Sequence, residues 1–289
     1  MMKQGIILKG IGSFYTVLSN DGEQYTLKAR GKFRNKRIKP LVGDNVLFSD
    51  DTIDDILERK NSFVRPAVAN ITKLMLVLSA SVPRADLMLL DKLLLQCEKN
   101  CIEPVMILNK WECRDEEYSD DIIAQYEQTG YSIIKASAYE GIGVDEIISH
   151  IKGNICCFAG QSAVGKSSLL NKIAPLLNLE TGGLSKKTDR GKHTTRHGEL
   201  FVLHGGMVMD TPGFSLLDTA DMEPCELAAL YPEMRKAMGE CRFAECLHIH
   251  EPDCKVKELL SRGKISQERY KRYNLLLDEL KEKRRHMYD

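Results

Sequence analysis

Gly160-Gln161-Ser162-Ala163-Val164-Gly165-Lys166-Ser167 fits the pattern G-x-x-x-x-G-K-[ST], and its reading decides the rest of the chain. An apolar run at 155–159 leads into it and a helical stretch at 168–173 leads out. That is the strand–loop–helix setting the pattern requires. Glycines are needed because backbone N–H groups must close around phosphate oxygens. Lys166 supplies a point charge to the β- and γ-phosphates, and the Ser167 hydroxyl can ligate Mg²⁺. Ser168 stands at the helix N-terminus, where its hydroxyl and N–H can meet the α-phosphate.

Working outward, apolar runs at 74–78, 105–108, 133–136 and 207–209 alternate with helical stretches. Leu87, Leu90, Leu94 and Cys97 hold the spacing of one helix face. Buried strands separated by helices predict a parallel α/β sheet over residues 67–220. Residues 1–66 read as short strands at 6–8, 14–18, 25–29 and 42–48, punctuated by Gly10, Gly12, Gly31 and the hairpin signal Asn20-Asp21-Gly22. A small β-barrel such as an oligonucleotide-binding (OB) fold suits them. The texture changes near Arg65-Pro66. Residues 221–289 carry no strand pattern. They hold a Cys/His cluster and a long polar helix at 266–286, striped by Tyr270, Tyr273, Leu277 and Leu280. The expectation is a multidomain chain: β-barrel, α/β P-loop domain, α-helical metal-binding domain.

The 289 residues carry 41 basic and 41 acidic side chains, so net charge alone names no partner. The distribution says more. Seven cations and no acid lie between Lys28 and Lys39, and from Lys255 onward eleven basic residues face six acidic ones. Two separated basic segments on a neutral protein point to a polyanion. No apolar run reaches membrane-spanning length and no leader peptide is visible at the N-terminus, so a soluble, cytoplasmic protein is expected. Nine cysteines, an odd count, fit reduced thiols.

Four further motifs bear on the nucleotide. Asn109-Lys110-Trp111-Glu112 follows the run at 105–108 and resembles the guanine-reading N-K-x-D motif of GTPases, with Glu112 one methylene longer than the usual Asp. A carboxylate there accepts from guanine N1–H and the 2-amino group, and adenine would leave it unpaired. Ser137-Ala138 resembles the motif whose backbone N–H groups contact guanine O6. Asp210-Thr211-Pro212-Gly213 matches D-x-x-G, with Asp210 reaching Mg²⁺ through water and the Gly213 N–H reaching the γ-phosphate. Between them, Thr194 or Thr195 can be the switch threonine on Mg²⁺. The order is unusual: the guanine motifs precede the phosphate loop. That is a circular permutation.

A barrel in front, a permuted GTPase in the middle and a Cys/His cluster behind resemble, over essentially the whole chain, the ribosome small-subunit-dependent GTPase A family. The resemblance implies a cytoplasmic enzyme that hydrolyses GTP, is stimulated by the small ribosomal subunit and acts late in that subunit's maturation, with rRNA as its polyanion. A nucleotide-regulated RNA-binding module with negligible turnover, or a GTPase acting on another RNA or the large subunit, are the alternatives. A monomer is expected. Cys241-x4-Cys246-x-His248-x5-Cys254 supplies three thiolates and an imidazole, a donor set Zn²⁺ favours in closed structural sites. The family's zinc motif matches these four positions, with His250 as a competing ligand. Phe214 stands where many GTPases place a water-orienting Gln. His193, beside the switch threonines, is therefore the candidate for positioning water, with a group furnished by the ribosome as the alternative.

Overall fold

The computed structural model describes residues 2–31, 33, 38–64, 66–175, 198–209 and 222–286. Strands β1 (Lys3–Ile11), β2 (Phe14–Ser19), β3 (Gln24–Ala29), β4 (Asn45–Ser49) and β5 (Thr52–Ile56) close into a barrel in the order β1-β2-β3-β5-β4. Alternation sends Ile7, Tyr15, Val17, Leu27, Val46, Phe48 and Ile53 into one core. Asn20-Asp21-Gly22 makes the predicted turn, with the Gly22 N–H on the Ser19 carbonyl at 2.9 Å and the Asp21 carboxylate accepting from Glu23 N–H.

Two details differ from the sequence reading. The strand expected from Val42 begins only at Asn45, because Arg59 and the Leu41 N–H draw the buried Asp44 carboxylate inward. The closing strand β5 adds to the strands expected from the sequence, since Asp50, Asp51, Asp54 and Asp55 mask its alternation. Asp54 is buried, accepts from the Ser49 hydroxyl and is ion-paired with Arg30.

A two-rung hairpin, β6 (Ser62–Phe63) with β7 (Val68–Ala69), leads from the barrel to the α/β sheet. The sheet is built from β8 (Lys73–Ser79), β9 (Glu103–Asn109), β10 (Ser132–Lys135), β11 (Ile155–Ala159), β12 (Leu200–Leu203) and β13 (Gly206–Met209). Its order is β10-β9-β8-β11-β13-β12, parallel except for the edge strand β12. Helices α1 (Leu87–Lys99), α2 (Glu116–Tyr126), α3 (Val144–Ile151) and α4 (Lys166–Ile173) cover it. Along β8, Leu74, Leu76 and Leu78 pack to one side and Met75 and Val77 to the other, so both faces are dry. From β8 the chain winds outward to β9 and β10, then returns through β11 on the opposite side. The order thus reverses between β8 and β11, and ligands of open α/β sheets bind at the carboxyl ends of strands at such a point.

The C-terminal region holds α5 (Pro232–Arg235), α6 (Lys255–Ser261) and α7 (Gln267–His286). Among the described residues, no helix is long and apolar enough to cross a membrane. Leu95 of α1 enters the same core as Met234, Val256, Tyr273 and Leu277. The same helices carry a buried ion network. Asp91 of α1 is fully buried and pairs with both Arg269 and Arg272 of α7. The Tyr126 hydroxyl donates to Asp91 at 2.8 Å, and Glu233 of α5 takes the other edge of Arg269 at 2.6 Å. The Arg269 guanidinium also lies over the Tyr126 and Tyr231 rings. Removing one partner from such a network strands the others in low dielectric. Asp91→Asn, which preserves shape, is expected to cost about 3 kcal/mol or more, read as a lowered midpoint of urea unfolding.

Candidate active site and metal centre

The phosphate loop leaves β11 at Gly160 and enters α4 at Lys166. Two of its glycines are required by space and by backbone angle. At Gly160 (φ +141°) a Cβ would stand 2.2 Å from the Val77 carbonyl oxygen, and at Gly165 (φ +95°) it would stand 2.3 Å from Asn109 Nδ2. The Lys166 ammonium donates to the Gly160 carbonyl at 2.7 Å and the Gln161 carbonyl at 2.5 Å, which keeps it over the mouth of the loop. Val164 is buried under the loop, while Ser162 and Ala163 are exposed and Ser167 is half-buried at the head of α4.

Asn109 ties the site together. Buried at the end of β9, it donates through Nδ2 to the Val164 carbonyl at 2.8 Å and accepts through Oδ1 from the Ala138 N–H at 3.1 Å. One amide thus joins the phosphate loop, the N-K-x-D turn and the loop after β10, three segments separate in sequence. The Trp111 N–H donates to the Ala136 carbonyl at 3.0 Å, and the buried Ser137 hydroxyl accepts from the Glu140 N–H at 2.9 Å. Lys110 adopts the left-handed region (φ 65°), which turns the chain so that Glu112 follows at the exposed start of a 3₁₀ turn. Trp111, the protein's single tryptophan, lies under two cations, Arg114 at 4.4 Å and Lys135 at 4.9 Å from its ring.

A segment that carries no motif in the sequence frames the same site. In residues 79–86, the Val82 carbonyl accepts from the Lys110 ammonium at 2.6 Å, and the Asp86 N–H donates to Gln161 Oε1 at 3.0 Å. Asp86 also caps α1 by accepting from Leu89 N–H. The cap was legible as an Asp before a helical apolar spacing; its bond to the phosphate loop was not. His193, Thr194, Thr195, Asp210 and Gly213 lie outside the described residues.

Within the C-terminal region, Cys241, Cys246, His248 and Cys254 offer ligand atoms within 4.8 Å of one another. His248 Nδ1 is 3.6 Å from Cys241 Sγ and 3.4 Å from Cys254 Sγ, and those two sulfurs are 4.0 Å apart. Bonds of about 2.0 Å to nitrogen and 2.3 Å to sulfur around one tetrahedral centre give edges of about 3.5–3.8 Å. The donors therefore stand where a small cation needs them, and the cluster can hold a metal ion. Burial lowers the pKa of His248 and keeps its imidazole neutral, the coordinating form. Burial and the neighbouring Cys254 and Cys241 sulfurs push the Cys246 thiol up to about 12, against the pull of the His248 N–H. A central cation reverses that balance. His250 is exposed and outside the cluster. Glu251 shapes the loop: burial works against its charge, but N–H groups including those of Leu247, Ile249 and His250 hold its carboxyl below the usual range.

A model of the RsgA GTPase family matches residues 56–220, and a model of the RsgA N-terminal domain matches residues 4–55. The chain belongs to the RsgA GTPase family. The small ribosomal subunit biogenesis GTPase RsgA of Halalkalibacterium halodurans is 44% identical over 288 residues, covering 97% of this chain and 98% of the relative. Its namesake from Geobacillus sp. is 43% identical over 291 residues, covering 98% and 99%. Among solved structures, YjeQ from Thermotoga maritima superposes with a TM-score of 0.85 at 36% identity, over 97% of this chain and 99% of that one. YloQ, described as a circularly permuted GTPase, gives 0.84 at 35% identity, over 98% and 96%. Like the rest of the RsgA GTPase family the chain is an enzyme, built as a barrel, a permuted GTPase and a helical region with a Cys/His cluster.

Proposed function

We propose that this GTPase hydrolyses GTP to GDP and phosphate in the biogenesis of the small ribosomal subunit, under stimulation by that subunit and through contacts to its rRNA. The observation that supports a guanine nucleotide best is the Asn109 side chain, which locks the phosphate loop to both loops of the guanine pocket. Backbone N–H groups from Gly160 to Ser168, with Gln161, Ser162, Ala163, Val164 and Gly165 between them, would cradle the phosphates. Lys166 would neutralise charge developing on the γ-phosphoryl group. Asn109, Lys110, Trp111, Glu112, Ser137 and Ala138 would form the base pocket. Ser167, Asp210 and one of Thr194 and Thr195 are the residues to hold Mg²⁺, which when bound offsets the charge of the β- and γ-phosphates. The Gly213 N–H would report the γ-phosphate to the segment that leads into the C-terminal region.

The division into a barrel (1–66), a GTPase domain (67–220) and a zinc-bearing domain (221–289) follows from this reading, as does work in the cytoplasm as a monomer. Zinc is the metal suited to three thiolates and an imidazole in a closed site. The basic segments at 28–39 and beyond 255 would hold rRNA phosphates from two sides.

Turnover of GTP by the purified protein, with and without small subunits, tests the proposal. Slow basal hydrolysis that rises on addition of the small subunit is the expected result. Negligible turnover in both conditions would instead leave a nucleotide-regulated RNA-binding module, and stimulation by the large subunit alone would reassign the partner. His193 would accept a proton from the attacking water as that oxygen bonds to phosphorus and the bridging P–O bond breaks. His193→Ala is therefore expected to remove most of the stimulated rate while GTP and subunit binding stay intact. A stimulated rate within about threefold of the parent, roughly 0.7 kcal/mol of barrier, would transfer that role to the ribosome.

A further inference from the structure

At the tip of the β1–β2 hairpin two large apolar side chains stand half in water. Ile11 is 53% exposed and Phe14 is 50% exposed, and the antiparallel register sets them opposite each other. The turn between them is open: a carbon added at Gly12 would meet nothing within 4 Å. On the next strand the register partner of Phe14 is Lys28, whose ammonium lies 5.1 Å from the centre of the Phe14 ring. Lys28 begins the run of seven cations that ends at Lys39. Lys9 and Arg30 nearby are paired with Glu199 and Asp54, whereas among the described residues Lys28 forms no ion pair.

A single exposed apolar side chain needs no explanation. An open aromatic ring with an unpaired ammonium over it is different, and here it lies on the loop and strand pair that five-stranded barrels of this kind use for oligonucleotides. We infer that Phe14 is a stacking platform for an unpaired base of the bound RNA, flanked by Ile11, with Lys28 on the adjoining phosphate. This rests on the reading of the barrel as an RNA-binding domain and specifies the RNA. Bases inside a duplex are already stacked, so the segment is a loop, a bulge or a single strand. Every base has a π-face, so the contact tolerates sequence. A protein partner fits less well. Covering Ile11 and Phe14 with apolar atoms would bury the Lys28 ammonium without a counter-charge, whereas a nucleotide brings its own.

The test uses the full-length protein, fluorescence anisotropy with a labelled single-stranded RNA of about ten nucleotides, and cosedimentation with small subunits. Phe14→Ala should weaken oligonucleotide binding about tenfold and leave the salt dependence unchanged, since no charge is lost. Lys28→Gln should lower the slope of log affinity against log salt by about one. Phe14→Trp should restore binding, and oligonucleotide should quench its added fluorescence. Nucleotide-induced change in Trp111 emission serves as the check that each variant is folded. Parental affinity in Phe14→Ala, or a parent with no affinity for the oligonucleotide, overturns the inference. So does a loss confined to intact subunits, which would assign Phe14 to a protein surface. Failure of the parent to sediment with small subunits counts against the proposed function instead, and the oligonucleotide measurement still decides on Phe14.

Discussion

Gly165→Ala is expected to lower affinity for both GTP and GDP by at least about two orders of magnitude, close to 3 kcal/mol, without unfolding the protein. The new methyl carbon would stand 2.3 Å from Asn109 Nδ2, well inside contact distance, at a backbone angle that side chains rarely adopt. Something must move. If Asn109 yields, it releases the Val164 carbonyl and the Ala138 N–H together. If the loop yields, the N–H groups from Gly160 to Ser168 lose their common focus, and a displacement near 1 Å can cost about a hundredfold. Titration of Trp111 fluorescence with nucleotide measures the loss directly, because the protein's only tryptophan lies in the turn that Asn109 begins, next to the clash. Asn109→Ala provides the sharper control. With that side chain gone the obstacle is gone, so adding Gly165→Ala to Asn109→Ala should cost far less than it does in the parent. Additive losses, or a Gly165→Ala protein within threefold of the parent, would disprove the clash.

Motifs of this kind are legible because their chemistry is local. Eight contiguous residues make the phosphate loop, and their neighbours on both sides declare strand and helix. The C-terminal cluster is legible for the same reason, with four ligands inside fourteen residues. Structure that depends on distant partners was not. Asp91 and Arg269 are 178 residues apart, and nothing near either one announces the other. The available hint was an acid lodged between Leu90 and Leu94 on an apolar helix face, since a buried carboxylate implies a partner. Strand β5 was hidden by composition, because four Asp residues in a stretch of six read as a loop until Asp54 is seen buried against Arg30. Trp111 could be read as a pocket residue from its place after Lys110, but not as a ring with the Arg114 and Lys135 cations over it. Local pattern locates the chemistry, while long-range pairing sets how the parts are held to one another.

That division bears on what loss of the metal should do. Among the described residues, the region from 222 onward has a single core, and the loop carrying three of the four ligands is stitched by backbone bonds to the Glu251 carboxylate and not by a sheet or a long helix. The Tyr270 and Tyr273 hydroxyls donate from α7 to the carbonyls of His248 and Leu247, so α7 leans on the loop that the metal would fix. Structural zinc is worth about 10–16 kcal/mol to zinc-finger peptides, and a contribution on that scale is more than so small a core could replace. One zinc per chain is expected by metal analysis of protein purified without chelator. Cys254→Ala, which removes a buried ligand, should reduce that content to near zero, whereas His250→Ala should leave it unchanged. The variant should lose helical signal on the scale of α7, twenty residues long, and the loss should spread to α1 through Leu95 and the Asp91–Arg269–Arg272 network. Hydrogen exchange would show this as faster opening of α1 ahead of the strands beneath the nucleotide site. Nucleotide binding should weaken only modestly, because Gln161 meets the N-terminal cap of α1 at the end remote from Leu95. Zinc-free parent protein with the full helical signal would show that the cluster packs without a metal, and protection of α1 unchanged in Cys254→Ala would sever the link between the metal centre and the GTPase sheet.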